Sequence, residues 1–232
     1  MAVRETALIV GAGQGLSAAL ARLFAREGMA VALAARHPDG LASLVAETGA
    51  RAYPCDAARP DDVSRLFEAV DGDLGAPDLV VYNPGARVRG PIAELDPEAV
   101  RTALTVTAFG GFLVGQAAAR GMLKKGAGTI LFTGASASVK GFANSASFAM
   151  GKFALRGLAE SMARELQPKN IHVAHFVIDG GIKKPDDPRA AERGPDGLLA
   201  PDEIAKNYLH VHRQHRSAWT FEVALRPWVE KF

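Results

Sequence analysis

The residues best placed to do chemistry come early, in Val10-Gly11-Ala12-Gly13-Gln14-Gly15-Leu16-Ser17, where a short apolar run passes into a helical pattern. Glycine lets the chain turn sharply, and a backbone without Cβ can approach a pyrophosphate closely. The helix that follows offers unbonded N–H groups and a positive dipole end to an anion. A tight strand–helix turn with no ligand is the alternative reading. Strand, glycines and helix at the head of an alternating β/α chain point to a dinucleotide cradle made by Gly11, Gly13, Gln14, Gly15 and Leu16. The second apolar run ends in Ala34-Ala35-Arg36-His37. A carboxylate there would accept from an NAD(H) ribose, whereas an arginine suits a 2′-phosphate. Ala35 offers no carboxylate and Arg36 offers a planar donor fork, so the pattern favours NADP(H) over NAD(H).

Other polar residues carry weaker signals. His210, His212 and His215 read as lying on one late helix, with His212 and His215 at metal-ligand spacing. No carboxylate shares that turn, and no metal site is expected. His172 and His175 fall on opposite faces of a strand and cannot act as a pair. Asp179, at the end of that strand, could titrate abnormally, but before Gly180-Gly181 it reads more simply as a turn aspartate.

These residues need a scaffold, and the chain supplies one. Strand-like runs cover Ala7–Val10, Ala30–Ala34, Arg51–Tyr53, Leu79–Tyr82, Thr129–Thr133 and Ile171–Ile178. Helical patterns run from Leu16 to Glu27, from an Asp96-Pro97 start through Gly121, from Ser147 to Leu166, and from Pro201 to about Arg213. Alternating β and α implies right-handed crossovers and a parallel sheet covered on both faces. The Pro-, Gly- and Asp-rich stretch Ile182–Ala200 leaves the carboxyl edge of the sheet, where ligands sit in such folds. It reads either as a substrate lid or as a plain solvated loop. Trp219–Phe232 reads as an apolar strand and a closing tail.

Of 232 residues, 48% are hydrophobic and 22% charged, enough apolar material for one large core. The formal net charge is +2, and no basic run exceeds Lys124–Lys125 or Lys183–Lys184. That argues against nucleic acid or an anionic membrane as the main partner. Cys55 is the only cysteine, which excludes an internal disulfide. The opening Met-Ala-Val-Arg-Glu-Thr has no signal-peptide pattern, and no apolar stretch reads as long enough to span a bilayer. A cytoplasmic protein is the expectation.

Taken in order, these motifs resemble those of the short-chain dehydrogenases/reductases over nearly the whole chain. Gly11, Gly15 and Ser17 fall on that family's TGxxxGxG positions, with Val10 for Thr and Ser17 for the last Gly. Cys55-Asp56-Ala57 is similar to the segment with the Asp that holds the adenine. Tyr82-Asn83-Pro84-Gly85 stands for Asn-Asn-Ala-Gly beneath the cofactor. Ile178-Asp179-Gly180 stands where a Pro-Gly motif lies near the nicotinamide amide.

The catalytic positions depart from the pattern. The family's YxxxK becomes Phe148-Ala149-Met150-Gly151-Lys152, with Phe148 and Lys152 on one helix face. The resemblance gives Lys152 a contact to the nicotinamide ribose. Phe148, in place of the tyrosine, cannot titrate or donate a proton. The family's serine aligns with Ala135, with Ser136 one residue later, and its helix asparagine aligns with Thr107. Ser136 is the candidate to hold substrate, though it also suits a turn; Lys152 is the candidate for the proton path. Ser147 reads as a helix cap, and Thr107 as bonding either a ligand or its own helix.

The resemblance implies a single doubly wound Rossmann-type α/β domain over residues 1–232, with about seven strands and a lid at 182–200. It implies an NADP(H)-dependent oxidoreductase for a small carbonyl or alcohol, with altered proton transfer. It also implies a homodimer or homotetramer formed through the Asp96–Gly121 helix and the next. A nucleotide-binding sensor or scaffold is the alternative, and a lyase or epimerase with no net oxidation a third reading.

Overall fold

The structure, a computed structural model, describes residues 4–231. Seven strands form one sheet: β1 (Thr6–Val10), β2 (Ala30–Ala35), β3 (Arg51–Pro54), β4 (Leu79–Tyr82), β5 (Gly128–Thr133), β6 (Ile171–Ile178) and β7 (Glu222–Leu225). All neighbours pair in parallel, in the order β3-β2-β1-β4-β5-β6-β7. Every residue of β1, β4 and β6 is buried. A parallel sheet covered on both faces needs strands apolar on both sides, which is why these runs lack alternation.

The helices are α1 (Leu16–Arg26), α2 (Ala42–Thr48), α3 (Pro60–Leu74), α4 (Pro97–Leu104), α5 (Gly110–Lys125), α6 (Ala146–Leu166), α7 (Arg189–Arg193) and α8 (Pro201–His212). One core joins α1, α2 and α8 to one face of the sheet. A second joins α3, α5 and α6 to the other. No element was expected at α2 or α3. α2 has only seven residues, whereas α3 has 15, with Val63, Leu66 and Val70 buried on one stripe that the sequence reading passed over.

The Asp96 start holds: its carboxylate accepts from the amides of Glu98 and Ala99. Beyond it, α4 and α5 are joined by a π-helical turn, Thr105–Phe109. That turn is pinned from the sheet side, because the Tyr82 hydroxyl donates to the Val106 carbonyl. Small residues let the long helix sit close. A Cβ on Gly110 would lie 2.5 Å from the Tyr82 hydroxyl, and one on Gly111 would lie 2.4 Å from Leu155 Cδ1. By length and composition the continuous Pro97–Lys125 helix could cross a membrane, which corrects the reading that no stretch could. Its Val114, Ala118 and Met122 stripe belongs to the second core. The π turn is what makes it long: it carries α4 into α5 without a break.

Three further expectations are corrected. The 182–200 stretch is not featureless: it contains α7 and a parallel bridge between Ile182 and Leu199. His215 is not on α8, which ends at His212; its ring instead accepts from the Ser217 amide at the next short turn. The strand of the tail is only Glu222–Leu225, after a one-turn helix at Arg216–Ala218. Residues 1–3 of the expected domain and Phe232 of the expected tail lie outside the described residues.

Candidate active site

The sheet reverses its winding between β1 and β4, and the glycine turn sits at that point. Gly11 has φ +81°, and a Cβ there would lie 2.7 Å from Pro84 Cγ, so both conformation and contact demand glycine. The amides of Gly11 and Ala12 both donate to the Ala34 carbonyl, at 3.0 and 2.9 Å, tying the turn to β2. Ser17 ties it to β4. Its buried hydroxyl donates to the Gly11 carbonyl at 3.0 Å and accepts from Asn83 Nδ2 at 2.8 Å. The first α1 amides to find a helical acceptor are those of Ala18 and Ala19, both on the Gly15 carbonyl. The turn before them keeps the donors that an anion needs.

Beside this turn opens a cleft of about 460 Å³, lined by Gly11, Arg36, Asp56, Ala57, Asn83 and Pro84, with Gly85 at its edge. It lies at the carboxyl ends of β1, β2 and β4, where ligands sit in such sheets. Asp56 Oδ1 accepts from the Ala58 amide at 3.0 Å, which fixes the loop after β3. Arg36 is exposed at the rim and forms no ion pair among the described residues. Gly13 and Gln14 line a separate hollow of about 220 Å³ with Pro185. The Leu16 side chain is buried in the first core, so only its backbone can serve a ligand.

On the other side of Gly85 stands Lys152, 4% exposed. Its ammonium donates to the Thr133 carbonyl at 2.7 Å and to the Pro84 carbonyl at 3.4 Å. Burial, reinforced by the positive charge of Arg87, pushes its pKa down to about 8. Phe148 lies one turn earlier, with the Lys152 nitrogen 5.9 Å from its ring centre. Thr107, on the π turn, packs against Gly151, and its hydroxyl accepts from the Ala86 amide at 3.0 Å, not from its own helix. The fold thus gathers Thr107, Phe148 and Lys152 around the Gly85–Ala86 loop. Ser136 opens the short turn after β5; its hydroxyl has no partner among the described residues.

Two expectations about serine and aspartate change. Ser147 caps nothing: its buried hydroxyl donates to the Val88 carbonyl and accepts from the Val88 amide, both at 2.9 Å. Asp179 is an ion-pair acceptor rather than a turn former, with Arg226 at 3.5 Å and Lys140 at 3.9 Å. Gly180, beside it, is held against Pro227, 2.7 Å from where its Cβ would stand.

Two further groups, to which the sequence reading assigned no chemistry, stand at the site. Arg87 lies over the Phe148 ring, its guanidinium carbon 3.8 Å from the centre. Only the short spacing from Gly85 hinted at it. Below Lys152, buried His175 meets Glu222 at 3.0 Å, and Arg156 grips the same carboxylate at 2.7 and 3.2 Å. Burial pushes His175 down to about 4, so the ring is neutral there. Its partners come from β7 and α6, which no local pattern links to β6. No group of residues with metal-ligand character occurs among the described residues.

The model of the short chain dehydrogenase family matches residues 5–185. The chain belongs to that family. As a short-chain dehydrogenase it is similar to a cis-4-hydroxycyclohexanecarboxylate dehydrogenase of Sinomonas cyclohexanicum, 33% identical over 87% of this chain and 86% of the relative. It is also similar to a D-threitol dehydrogenase of Mycolicibacterium smegmatis, 28% identical over 87% and 83%. Among solved structures, a short-chain dehydrogenase from Rhodopseudomonas palustris superposes with TM-score 0.84 and 38% identity, covering 97% of this chain and 99% of the other. A metagenomic short-chain oxidoreductase in complex with NADP does so with TM-score 0.84 and 25% identity, covering 96% and 97%. The family is one of oxidoreductases, and this chain has its seven-stranded Rossmann-type sheet.

Proposed function

We propose that this short-chain dehydrogenase is an NADP(H)-dependent oxidoreductase of a small carbonyl or alcohol, with an altered proton-transfer apparatus. The observation that carries this reading is Lys152, a buried ammonium that packs against Gly85, which lines an open nucleotide-sized cleft. The Gly11 turn lines the cleft, and the start of α1 would offer a diphosphate its N–H donors. Asp56 and Ala57 stand where an adenine would rest. Exposed and with no ion pair among the described residues, Arg36 suits a 2′-phosphate, and a solved relative carries NADP. Bound in this way, the nicotinamide nucleotide would supply or accept the hydride.

The chain's own part is positioning and the proton. Lys152 would hold a ribose hydroxyl, and with a pKa of about 8 it can exchange a proton near neutral pH. Phe148 has no proton to give, so the alkoxide oxygen takes one from water or through Lys152. Ser136, its hydroxyl without a partner among the described residues, would orient the substrate oxygen. Thr107, satisfied by the Ala86 amide, would hold the loop, and Asp179 and Gly180 would border the nicotinamide.

Two further readings go with this one. Ile182–Ala200, anchored at its base by the Ile182–Leu199 bridge, acts as the lid. The exposed Phe109, Phe112, Met150 and Phe153 on the helices from α4 to α6 form the face through which copies self-pair. The primary test is calorimetry with NADPH and NADH, followed by turnover assays across ketones, aldehydes and alcohols. NADPH binding and hydride exchange with at least one class is the expected result. No binding of either nucleotide at millimolar levels would overturn the reading.

A further inference from the structure

We propose that the substrate of this site carries a carboxylate, held by the forked guanidinium of Arg87; the proposal deepens the oxidoreductase reading and rests on it. Most arginines here already face carboxylates: Arg22, Arg51, Arg101, Arg156 and Arg213 each form an ion pair. Arg87 and its neighbour Arg89 form none among the described residues. The charge that acts most on Arg87 is the like charge of Arg89. Lys152 faces two carbonyls and no carboxylate. Arg87 thus stands between the like charges of Arg89 and Lys152, and none of the three pairs with a carboxylate among the described residues.

The position of Arg87 is enforced. Both backbone groups of Val88 are locked to the Ser147 hydroxyl at 2.9 Å, and the Gly90 amide donates to the Asn144 carbonyl at 3.2 Å. The 85–90 loop is therefore fastened to the start of α6. The fastening brings the guanidinium carbon over the Phe148 ring, 3.8 Å from its centre. Stacking leaves the N–H donors unused, and none of them bonds another group among the described residues, so they can serve a two-point contact. Gly85, with no Cβ, leaves a narrow gap before the Lys152 nitrogen: a Cβ there would lie 3.2 Å from that nitrogen and 3.9 Å from Phe148 Cε2. A carbonyl reaching that gap would meet Lys152, while a carboxylate a few bonds away met Arg87.

The reaction balances with groups already named. An oxo acid takes a hydride from NADPH at its carbonyl carbon and a proton, by way of water or Lys152, at its oxygen. The products are the hydroxy acid and NADP⁺, and the carboxylate is unchanged.

The test compares short oxo acids, with the ketone at increasing distance from the carboxylate, against their methyl esters. Wild type is expected to favour at least one acid over its ester by about tenfold or more in kcat/KM. Arg87→Gln should lower that ratio by about 10- to 100-fold, the range for a charge-assisted hydrogen bond, and Arg87→Lys should fall between. An ester turned over as well as every acid, or an Arg87→Gln variant that slows acid and ester equally, overturns the proposal. So does a loss of NADPH affinity as large as the loss for the acid, since Arg87 would then serve the cofactor phosphates. Calorimetry with oxamate, an unreactive oxo-acid analogue, separates this proposal from the oxidoreductase reading. Oxamate binding that weakens tenfold or more in Arg87→Gln, with no turnover of any compound, removes the oxidoreductase reading and keeps the anion site. No oxamate binding to wild type, or equal binding to both, removes the anion site alone.

Discussion

Restoring a phenol at the head of the Phe148/Lys152 pair tests the altered chemistry directly. In Phe148→Tyr the new hydroxyl stands on a ring with Lys152 Nζ 5.9 Å from its centre and Arg87 stacked at 3.8 Å. A unit charge about 6 Å away, at an effective dielectric of about 20, favours a phenolate by about 3 kcal/mol, or about two pKa units. That brings a phenol from about 10 to about 8, close to Lys152 and able to donate near neutral pH. A positioned general acid contributes about 10²–10⁴-fold in rate, so kcat for carbonyl reduction should rise by a factor in that range. The assay is steady-state NADPH oxidation with wild type and variant across the same carbonyl panel and pH range. The variant should also gain an alkaline limb, falling as the new phenol loses its proton. A variant that binds NADPH as wild type does, yet gains no rate with any carbonyl and no new limb, refutes the reasoning. It would favour a nucleotide sensor that has given up catalysis.

Three other outcomes follow from individual contacts. Arg36→Glu should weaken NADPH by about 10- to 100-fold, the worth of a charge-assisted contact, and strengthen NADH; titration showing an unchanged NADPH-to-NADH ratio would remove Arg36 from the site. Gly111→Ala drives a methyl to within 2.4 Å of Leu155 and should destabilise by about 1–3 kcal/mol in urea, whereas Gly13→Ala meets nothing and should stay within about 0.5 kcal/mol. Lys152 gives up its proton at about 8 in the folded chain and 10.5 in water. Between those values the unfolded chain holds more protons, so apo-protein stability should rise with pH across that window, by about 3 kcal/mol in all. Urea melts should show that slope in wild type and lose it in Lys152→Met; a slope that persists would assign it to other groups.

The scaffold was legible because a parallel sheet buried on both faces writes itself as uninterrupted apolar runs. Leu79–Tyr82 and Ile171–Ile178 match the observed strands at both ends. The glycine turn was legible for a similar reason: at Gly11, backbone conformation and the approach of Pro84 both exclude a side chain. Tertiary bonds were not legible. Ser147 looks like a cap because it stands at a helix start, but its partner, Val88, is 59 residues away. The Arg156–Glu222–His175 cluster joins three elements that meet only once β7 pairs with β6. Arg87 has no period, cap or motif to mark it, and only its stacking on Phe148 gives it a role.

The way the departures are absorbed bears on function. Thr107, at the asparagine position of the resemblance, satisfies the Ala86 amide, and Phe148 fills its place beneath Arg87. Neither leaves an orphaned polar group, so either change is compatible with a protein that no longer catalyses. Lys152 is different. Burying its ammonium costs several kcal/mol that two carbonyls offset only in part, and methionine would fill the same volume without that penalty. A packing role gives no reason to keep such a cation, and none to hold Gly85 clear in front of it. Both make sense if the ammonium still has a ribose hydroxyl to hold and a proton to pass on. Lys152, rather than the missing phenol, therefore decides the matter: Lys152→Met should gain stability at neutral pH while losing hydride transfer. A variant that is stabilised and still turns over would break the link between the buried charge and the reaction.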